Sequence, residues 1–401
     1  MRVLLVLEPF TDLFWKHRKR DGTGKPLIAG YGHQFFPEVL IAALGGDGLN
    51  LIVGGNEDWQ TKGIDYLTPT ACIYARQMIG FFEALDTGSI DLPKPAAVIQ
   101  TNFCSGDYHS LEAVNRYLGI QAFKMLVPYR STPHAFKYLV ASLNTFVQDV
   151  TTVTGVEYDP ELLMKAVEQE RQLSSLLGQY ARLDLVGSER LQGYFEIALA
   201  PWEQKLDVAA AIIEEGNQSI QGKEAPRSVV VLTGSPVLVG DRFSSVLDGV
   251  GLPVRFYDYY FADQQAMRAI PREQEDLKVL KAQVDFSDPI QVLAAYYLDS
   301  LAPERMVGGA MNHLEQRVQQ VLGYSTFLPG ERPLSGVVSM VLKFCDVFGT
   351  DRAAFKTLLQ DKHHVPVLDI ERDYSASSIG QISTRIEAFN EMLVADRHES
   401  E

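Results

Sequence analysis

The sequence predicts an α/β protein with two roughly four-stranded parallel sheets, each flanked by helices, and a helical segment between them. Three observations lead there. Short apolar runs bounded by Gly, Pro or polar residues recur near both ends of the chain, segments with helical spacing separate them, and between Asp159 and about Gly216 the strand signal disappears. Runs that are apolar on both faces suit strands buried in a parallel sheet. Parallel neighbours in turn need crossovers, which are usually helical.

In the first half the strand candidates are Val3–Leu7, Leu49–Val53, Ala96–Gln100 and Ala122–Val127. Helical spacing over Pro37–Leu44 and Ile73–Leu85 supplies crossovers, and Ser131-Thr132-Pro133 opens a helix through about Val150, with a capping hydroxyl ahead of a proline at the first helical position. Asp159-Pro160-Glu161 starts the helical segment, whose stripe runs through Leu162, Leu163, Ala166, Val167, Leu173, Leu176, Leu177 and Tyr180. The polar stretch from Gly216 to Pro226 reads as a linker. The second half repeats the first, with strands expected at Ser228–Leu232, Pro253–Tyr257, Val337–Leu342 and Val365–Ile370. Helices are expected from Asp288-Pro289, near Pro303-Glu304, from Thr350-Asp351, and from near Ser378 to about Arg397. The expected division is therefore a first Rossmann-like domain over 1–155, a helical spacer or cap over 156–222, and a second Rossmann-like domain over 223–401.

Composition excludes several classes of function. The 401 residues carry 36 basic and 51 acidic side chains, a net charge of −15, which argues against broad binding to nucleic acid or an anionic membrane, since either needs a basic face. The opening MRVLLVLEPF is too short an apolar run for a signal peptide or anchor, and no later run is long enough to span a bilayer. Three cysteines are too few, and odd in number, for a secreted disulfide framework. A reduced, cytoplasmic protein is expected.

Nucleotide and hydrolase motifs are missing. No Gly-x-Gly-x-x-Gly follows a strand, and the string Gly216 to Lys223 has one residue too many for a phosphate loop, with Glu224 where a magnesium-binding hydroxyl should stand. Any ATP used in the reaction is expected to come through another protein. Thr233-Gly234-Ser235-Pro236 follows a strand but lacks the second glycine of a nucleophile elbow. His363-His364 reads as a surface turn, because adjacent side chains diverge.

The cysteines fall at chemically suggestive places. Cys104, in TNFCSGDYHS, lies just past the strand AAVIQ; Cys345, in KFCDVFG, lies just past GVVSMVL; and Cys72 follows Thr68-Pro69-Thr70 and precedes the helix Ile73–Leu85. Open α/β sheets bind ligands outside the carboxyl ends of their strands, and a helix start favours a thiolate over a thiol. Each cysteine could instead be a small buried hydrophobe. If they converge on metal, thiolates select zinc or an iron–sulfur cluster. Structural zinc cysteines come in close pairs, whereas these are 32 and 241 positions apart. A cubane reached from three distant loops fits better, with its fourth iron left open.

At these same residues the sequence resembles the large-subunit (D-component) family of the 2-hydroxyacyl-CoA dehydratases, which includes benzoyl-CoA reductase subunits and double-cubane cluster proteins. The closing VLDIERDYSASSIGQISTRIEAFNEML resembles the family's last strand, acidic turn and Gly-Gln-x-x-Thr-Arg-Ile-Glu-Ala-Phe helix. GVVSMVLKFCDVFG resembles the context of its third cysteine, FFPEVLIAALGG its Pro-Glu-Glu-Leu-Ile helix, ACIYARQMIG its Cys-Pro-x-x-Arg segment and TNFCSGD its Asn-x-Cys-Asp-Gly segment. The resemblance spans about residues 30–395 and departs from the family in four places. Tyr31-Gly32-His33 stands where many members carry Cys or Ser after the tyrosine, and Ile73 replaces the proline after the first cysteine. YDYYFADQQAMR replaces a Cys-x-Gly-x-Arg motif, and a strand is expected from residue 3 in place of a long helical leader.

The resemblance implies a [4Fe–4S] cluster on Cys72, Cys104 and Cys345, a homologous partner subunit in a hetero- or homodimer, and a separate ATP-hydrolysing iron–sulfur activator. That activator would inject one electron, and water would leave a 2-hydroxyacyl-CoA through a ketyl radical, in an oxygen-sensitive enzyme. The alternatives are a low-potential reductase of acyl-CoA or small molecules, of benzoyl-CoA reductase or double-cubane type, and a non-catalytic partner subunit. Three cysteines are too few for a double cubane within one chain. His33 is a candidate proton donor or hydroxyl contact, and otherwise a hydrogen-bonded loop histidine. Ser105, beside Cys104, and Ser235, just past a strand, are further catalytic candidates. Asp107 and His109 are candidate groups around the cluster, or else turn residues. Tyr257, Tyr259 and Tyr260 are expected to be core and interface.

Overall fold

The computed structural model describes residues 8–20, 24–31, 33, 35–130, 132–222, 228–268, 283–299, 314–327 and 334–398. Eight strands among them form two sheets of four, all parallel. In the first sheet β1 (Leu27–Tyr31), β2 (Asp47–Leu51), β3 (Ala97–Thr101) and β4 (Gln121–Met125) lie in the order β2-β1-β3-β4. In the second, β5 (Val230–Gly234), β6 (Val254–Tyr257), β7 (Gly336–Leu342) and β8 (Val367–Arg372) lie in the order β6-β5-β7-β8. Each chain path thus starts at an inner strand, steps outward to one side, and then crosses to the other. The reversal leaves a crevice at the carboxyl ends of β1 and β3, and another at those of β5 and β7.

The predicted fold class holds, with one strand placed differently. Val3–Leu7 lies outside the described residues, and the inner strand of the first sheet is Leu27–Tyr31, paired with both β2 and β3. Its five residues are buried, but Pro26 and Gly30 interrupt the apolar signal. Gly30 is there because a Cβ would come within 2.8 Å of the Phe36 ring. The predicted helix near Pro303-Glu304 also lies outside the described residues.

Helix starts follow the capping logic. Thr132 accepts a hydrogen bond from the Ala135 N–H at 3.2 Å and opens Pro133–Thr154, and Asp159 accepts from the Glu161 N–H at 2.8 Å and opens Pro160–Arg182. Gly187–Leu199 and Lys205–Ser219 complete the helical segment. The expected linker from Gly216 needs correction, since the helix continues to Ser219 with Gly216 inside it. A side chain at Gly216 would come 2.7 Å from Leu183, so that glycine serves close packing rather than a break. None of the described helices is long and apolar enough to cross a membrane.

Buried ion pairs fasten the helical segment to both halves. Lys205 Nζ donates to both carboxylate oxygens of Glu38 at 2.5 Å, and Arg190 pairs with Asp263, the two being 0% and 1% exposed. The halves also meet directly: Val53 and Val239 form a parallel bridge, with Gly54 N–H donating to the Val239 carbonyl and Val239 N–H to that of Ile52, each at 2.8 Å.

Gly234 closes β5 at a φ of 104°, and a Cβ there would sit 2.1 Å from the Met340 carbonyl oxygen on β7. Gly234→Ala should therefore cost at least about 2–3 kcal/mol. Thermal unfolding of the variant checks this; an unchanged midpoint would contradict the close approach.

Candidate metal centre

All three cysteines occupy the same kind of position, the residue immediately before a helix. Cys72 precedes Ile73–Asp86, Cys104 precedes Ser105–Leu118, and Cys345 precedes the short helix Asp346–Gly349. None uses its sulfur as a capping acceptor. Cys104 leaves β3 and Cys345 leaves β7, one at each crevice, while Cys72 opens the last helix of the crossover from β2 to β3. The Ile73 N–H donates to the Lys343 carbonyl at 3.3 Å, joining the Cys72 and Cys345 loops through backbone. Lys343 N–H in turn donates to the Arg372 carbonyl at 2.8 Å. Phe344 takes a left-handed φ of 63° to make the turn into Cys345. A Cβ built on Gly106 would lie 3.5 Å from Cys104 Sγ and 3.6 Å from Cys72 Cβ, so the other two loops pack on each other there.

The three thiols line a single cavity of about 880 Å³, mouth included, between the two halves. Its walls include Tyr74, Phe103, Leu238, Leu342 and Phe348, with His33, Asp107, Ser235, Asp258, Tyr259 and Tyr260 among them. Contact with the Cys345 thiol, and then burial, holds the Cys72 thiol well above its usual range. Burial, and then the Asp107 charge, raises Cys104. The backbone N–H groups of Ala75 near Cys72, and of Gly106 and Asp107 near Cys104, pull the other way, as helix starts should. With nothing bound, Cys72 and Cys104 stay protonated. Converting them to thiolates needs a cation beside them. Among the described residues no three His, Cys, Asp or Glu side chains are gathered closely enough to hold a single metal ion.

The other candidates divide. His33 lies on the cavity wall, 6% exposed, stacked on Phe103 with ring centroids 4.8 Å apart. Its Nδ1 accepts from the Phe35 N–H at 3.1 Å, which leaves Nε2 to donate to Thr101 Oγ1 at 3.1 Å. Both ring nitrogens are therefore engaged. Ser235 is also on the wall and 2% exposed; its N–H donates to the Met340 carbonyl at 2.7 Å and its Oγ accepts from the Leu342 N–H at 3.0 Å. Ser105 is exposed at the first helical position and is not part of the wall. His109 is exposed too, 3.6 Å from Glu112. Tyr257 is buried away from the cavity, its hydroxyl 2.5 Å from Ser244 Oγ, whereas Tyr259 and Tyr260 line it.

Asp258 is a wall residue that the sequence did not single out. Its carboxylate accepts from Thr233 Oγ1 at 2.7 Å, Tyr324 OH at 3.0 Å, Gln320 Nε2 at 3.1 Å and Gln264 Nε2 at 3.2 Å, so it braces the wall. Phe103 could have been found as the aromatic beside Cys104. Tyr74 follows the same logic two residues past Cys72.

Burial pushes His33 down to about 3, so the ring is neutral. An unfolded histidine titrates near 6.5, so below that pH the unfolded chain binds the extra proton. Stability should fall on acidification from about 6.5 toward 3, by up to about 1.4 kcal/mol per pH unit from this group. Urea titrations of the parent and His33→Gln at pH values of about 7 and 5 should show the smaller acid loss in the variant. Equal losses would refute a buried neutral His33.

Two doubly wound α/β halves face one another across a cavity lined by three cysteines, the class of fold and site this chain presents. The chain belongs to the 2-hydroxyglutaryl-CoA dehydratase D-component family, whose sequence model matches residues 34–393. It is also similar to a protein of Escherichia coli (strain K12) described as "Putative dehydratase subunit YjiM", with 41% identity over 63 residues. That match spans 16% of this chain and 16% of the relative.

Proposed function

We propose that this chain is the iron–sulfur subunit of a 2-hydroxyacyl-CoA dehydratase-like enzyme, holding a [4Fe–4S] cluster through Cys72, Cys104 and Cys345. The reading is carried by one observation: three cysteines 32 and 241 positions apart line the same cavity, each from the start of a helix. The donor set fits. All three are soft sulfurs, none is spent on capping, and two are held as thiols by burial and by one another until a cation arrives. Bound there, such a cluster supplies one electron at a time and an iron with an open position that acts as a Lewis acid.

The protein's own contribution is placement and exclusion. Phe103, Leu238, Leu342 and Phe348 give the cavity apolar walls, and an apolar surround strengthens charge interactions beside it. The two hydrogen bonds on His33 hold its ring flat against Phe103, making a fixed wall for an entering acyl group. In this reading the substrate is a 2-hydroxyacyl-CoA thioester. The partners are a homologous subunit and a separate ATP-hydrolysing iron–sulfur activator, since no phosphate loop is present in the sequence.

Anaerobic reconstitution of the full chain with iron and sulfide should give about four irons per chain and a brown chromophore. Fewer than about three irons on a folded chain overturns the proposal. With activator, ATP and reductant, 2-hydroxyacyl-CoA should lose water without net consumption of electrons. Stoichiometric electron consumption would instead mark a low-potential reductase using the same thiols.

A further inference from the structure

Among the described residues, two polar side-chain atoms on the cavity wall, Tyr259 OH and Gln264 Oε1, are buried with no hydrogen-bond partner. Their residues are 2% and 9% exposed. Both lie in YDYYFADQQAMR, the stretch that replaces the family's Cys-x-Gly-x-Arg motif. The Gln264 N–H donates to the Tyr259 carbonyl at 3.3 Å, so one turn carries the pair. What each atom can still offer is fixed by its surroundings. The Val237 N–H lies beside the Tyr259 hydroxyl and is itself a donor, so the hydroxyl proton has no acceptor. Gln264 gives its amide Nε2 to the carbonyl and a carboxylate oxygen of Asp258, each at 3.2 Å. Both of those atoms are acceptors, which turns Oε1 away from Asp258 and leaves it nothing to accept. The turn thus keeps one donor and one acceptor uncommitted. Burying either atom unpaired is costly, and native proteins hold few such groups unless a ligand completes them.

We infer that Tyr259 and Gln264 are the substrate-recognition pair of the cavity: the Tyr259 hydroxyl donates to the thioester carbonyl oxygen, and Gln264 Oε1 accepts from the hydroxyl on the neighbouring carbon. A 2-hydroxyacyl thioester carries that acceptor and that donor on adjacent carbons, whereas a thioester without the hydroxyl leaves Gln264 unpaired. This inference rests on the proposal that the cavity takes a 2-hydroxyacyl-CoA. It concerns binding alone, and no covalent bond forms or breaks in it.

Calorimetric titration of the full-length chain, under anaerobic conditions and with no activator present, compares (R)-2-hydroxybutanoyl-CoA with butanoyl-CoA as probes. The parent should bind the hydroxylated probe at least about tenfold more tightly. Gln264→Met should bring the two probes to within about twofold of each other by weakening the hydroxylated one alone. Tyr259→Phe should weaken both probes alike, about fivefold. Its ligand-free thermal midpoint should not fall, since the hydroxyl it loses bonds nothing. A parent that binds the two probes equally overturns the inference, as does a Gln264→Met chain that keeps the preference while folded by circular dichroism. If Gln264→Met does not fold, Tyr259→Phe decides alone: parental affinity for both probes, with or without a lowered midpoint, overturns the pairing. A parent that binds neither probe overturns the acyl-CoA reading itself, and this inference with it, so the two failures are distinguishable.

Discussion

Replacing Cys345 with alanine should drop the iron held by the reconstituted chain from about four per protein to near zero. Circular dichroism and thermal unfolding of the metal-free chain should hardly change. The separation of the two readouts follows from the geometry. Cys345 precedes a helix of only four residues, its sulfur caps nothing, and it is only partly buried. Its removal therefore costs the fold little, whereas it deletes the one thiol that the second sheet contributes. The first sheet's two cysteines would be left without a donor across the crevice. Cys72→Ala and Cys104→Ala should behave alike, because three loops must close on the same cluster. An alanine variant that keeps its full iron content would sink the assignment of that cysteine.

Asp263→Ala should be among the most destabilising single substitutions in the chain, at about 3–5 kcal/mol. Asp263 accepts from Arg190 Nε at 3.2 Å, from Tyr194 OH at 2.5 Å and from the Tyr257 N–H at 2.7 Å. Removing the carboxylate strands all three donors in an interior where Arg190 is fully buried. A second guanidinium, Arg255, lies in the same interior, pushed down to about 9 by burial and by the Arg190 charge. Without Asp263 the two cations would face each other with less to offset them. Urea denaturation measures the loss. A double replacement of Arg190 by Met and Asp263 by Leu should recover much of it, since apolar packing can substitute for a buried pair. A single-variant loss under about 1 kcal/mol would show that the helical segment is not anchored through this pair.

The legible part of the fold was the part with strong periodicity. The both-face apolar runs over Ala96–Gln100 and Val337–Leu342 became inner strands, and Asp288-Pro289 and Asp159-Pro160 opened helices as written. The inner strand Leu27–Tyr31 escaped notice because a pattern of apolar residues does not register a glycine chosen for contact with Phe36. Gly216 misled for the same reason: a residue that breaks helices in isolation here lets the connection through Leu183 and Leu185 pack against its helix. In the candidate site, the placement of Cys104 and Cys345 just past strands and of Cys72 just ahead of a helix was readable, whereas the helices that Cys104 and Cys345 themselves open were not. The outward position of Ser105, away from the cavity wall, was not readable either, since the outward face of a helix's first turn is set by how that helix docks.

By itself the sequence determined the α/β class, the family, and the three cysteines that stand at loop ends, because each is a property of local pattern or of residue identity. Only the tertiary structure decided that those loops share one cavity, that His33 has both nitrogens occupied, and that Asp107 rather than Ser105 lines that cavity. The reason is physical. Residues 72, 104 and 345 are brought together by two sheets meeting at their carboxyl ends, through the Val53–Val239 bridge and the Ile73–Lys343 hydrogen bond. No spacing along the chain encodes a contact that depends on where two separately folded layers dock.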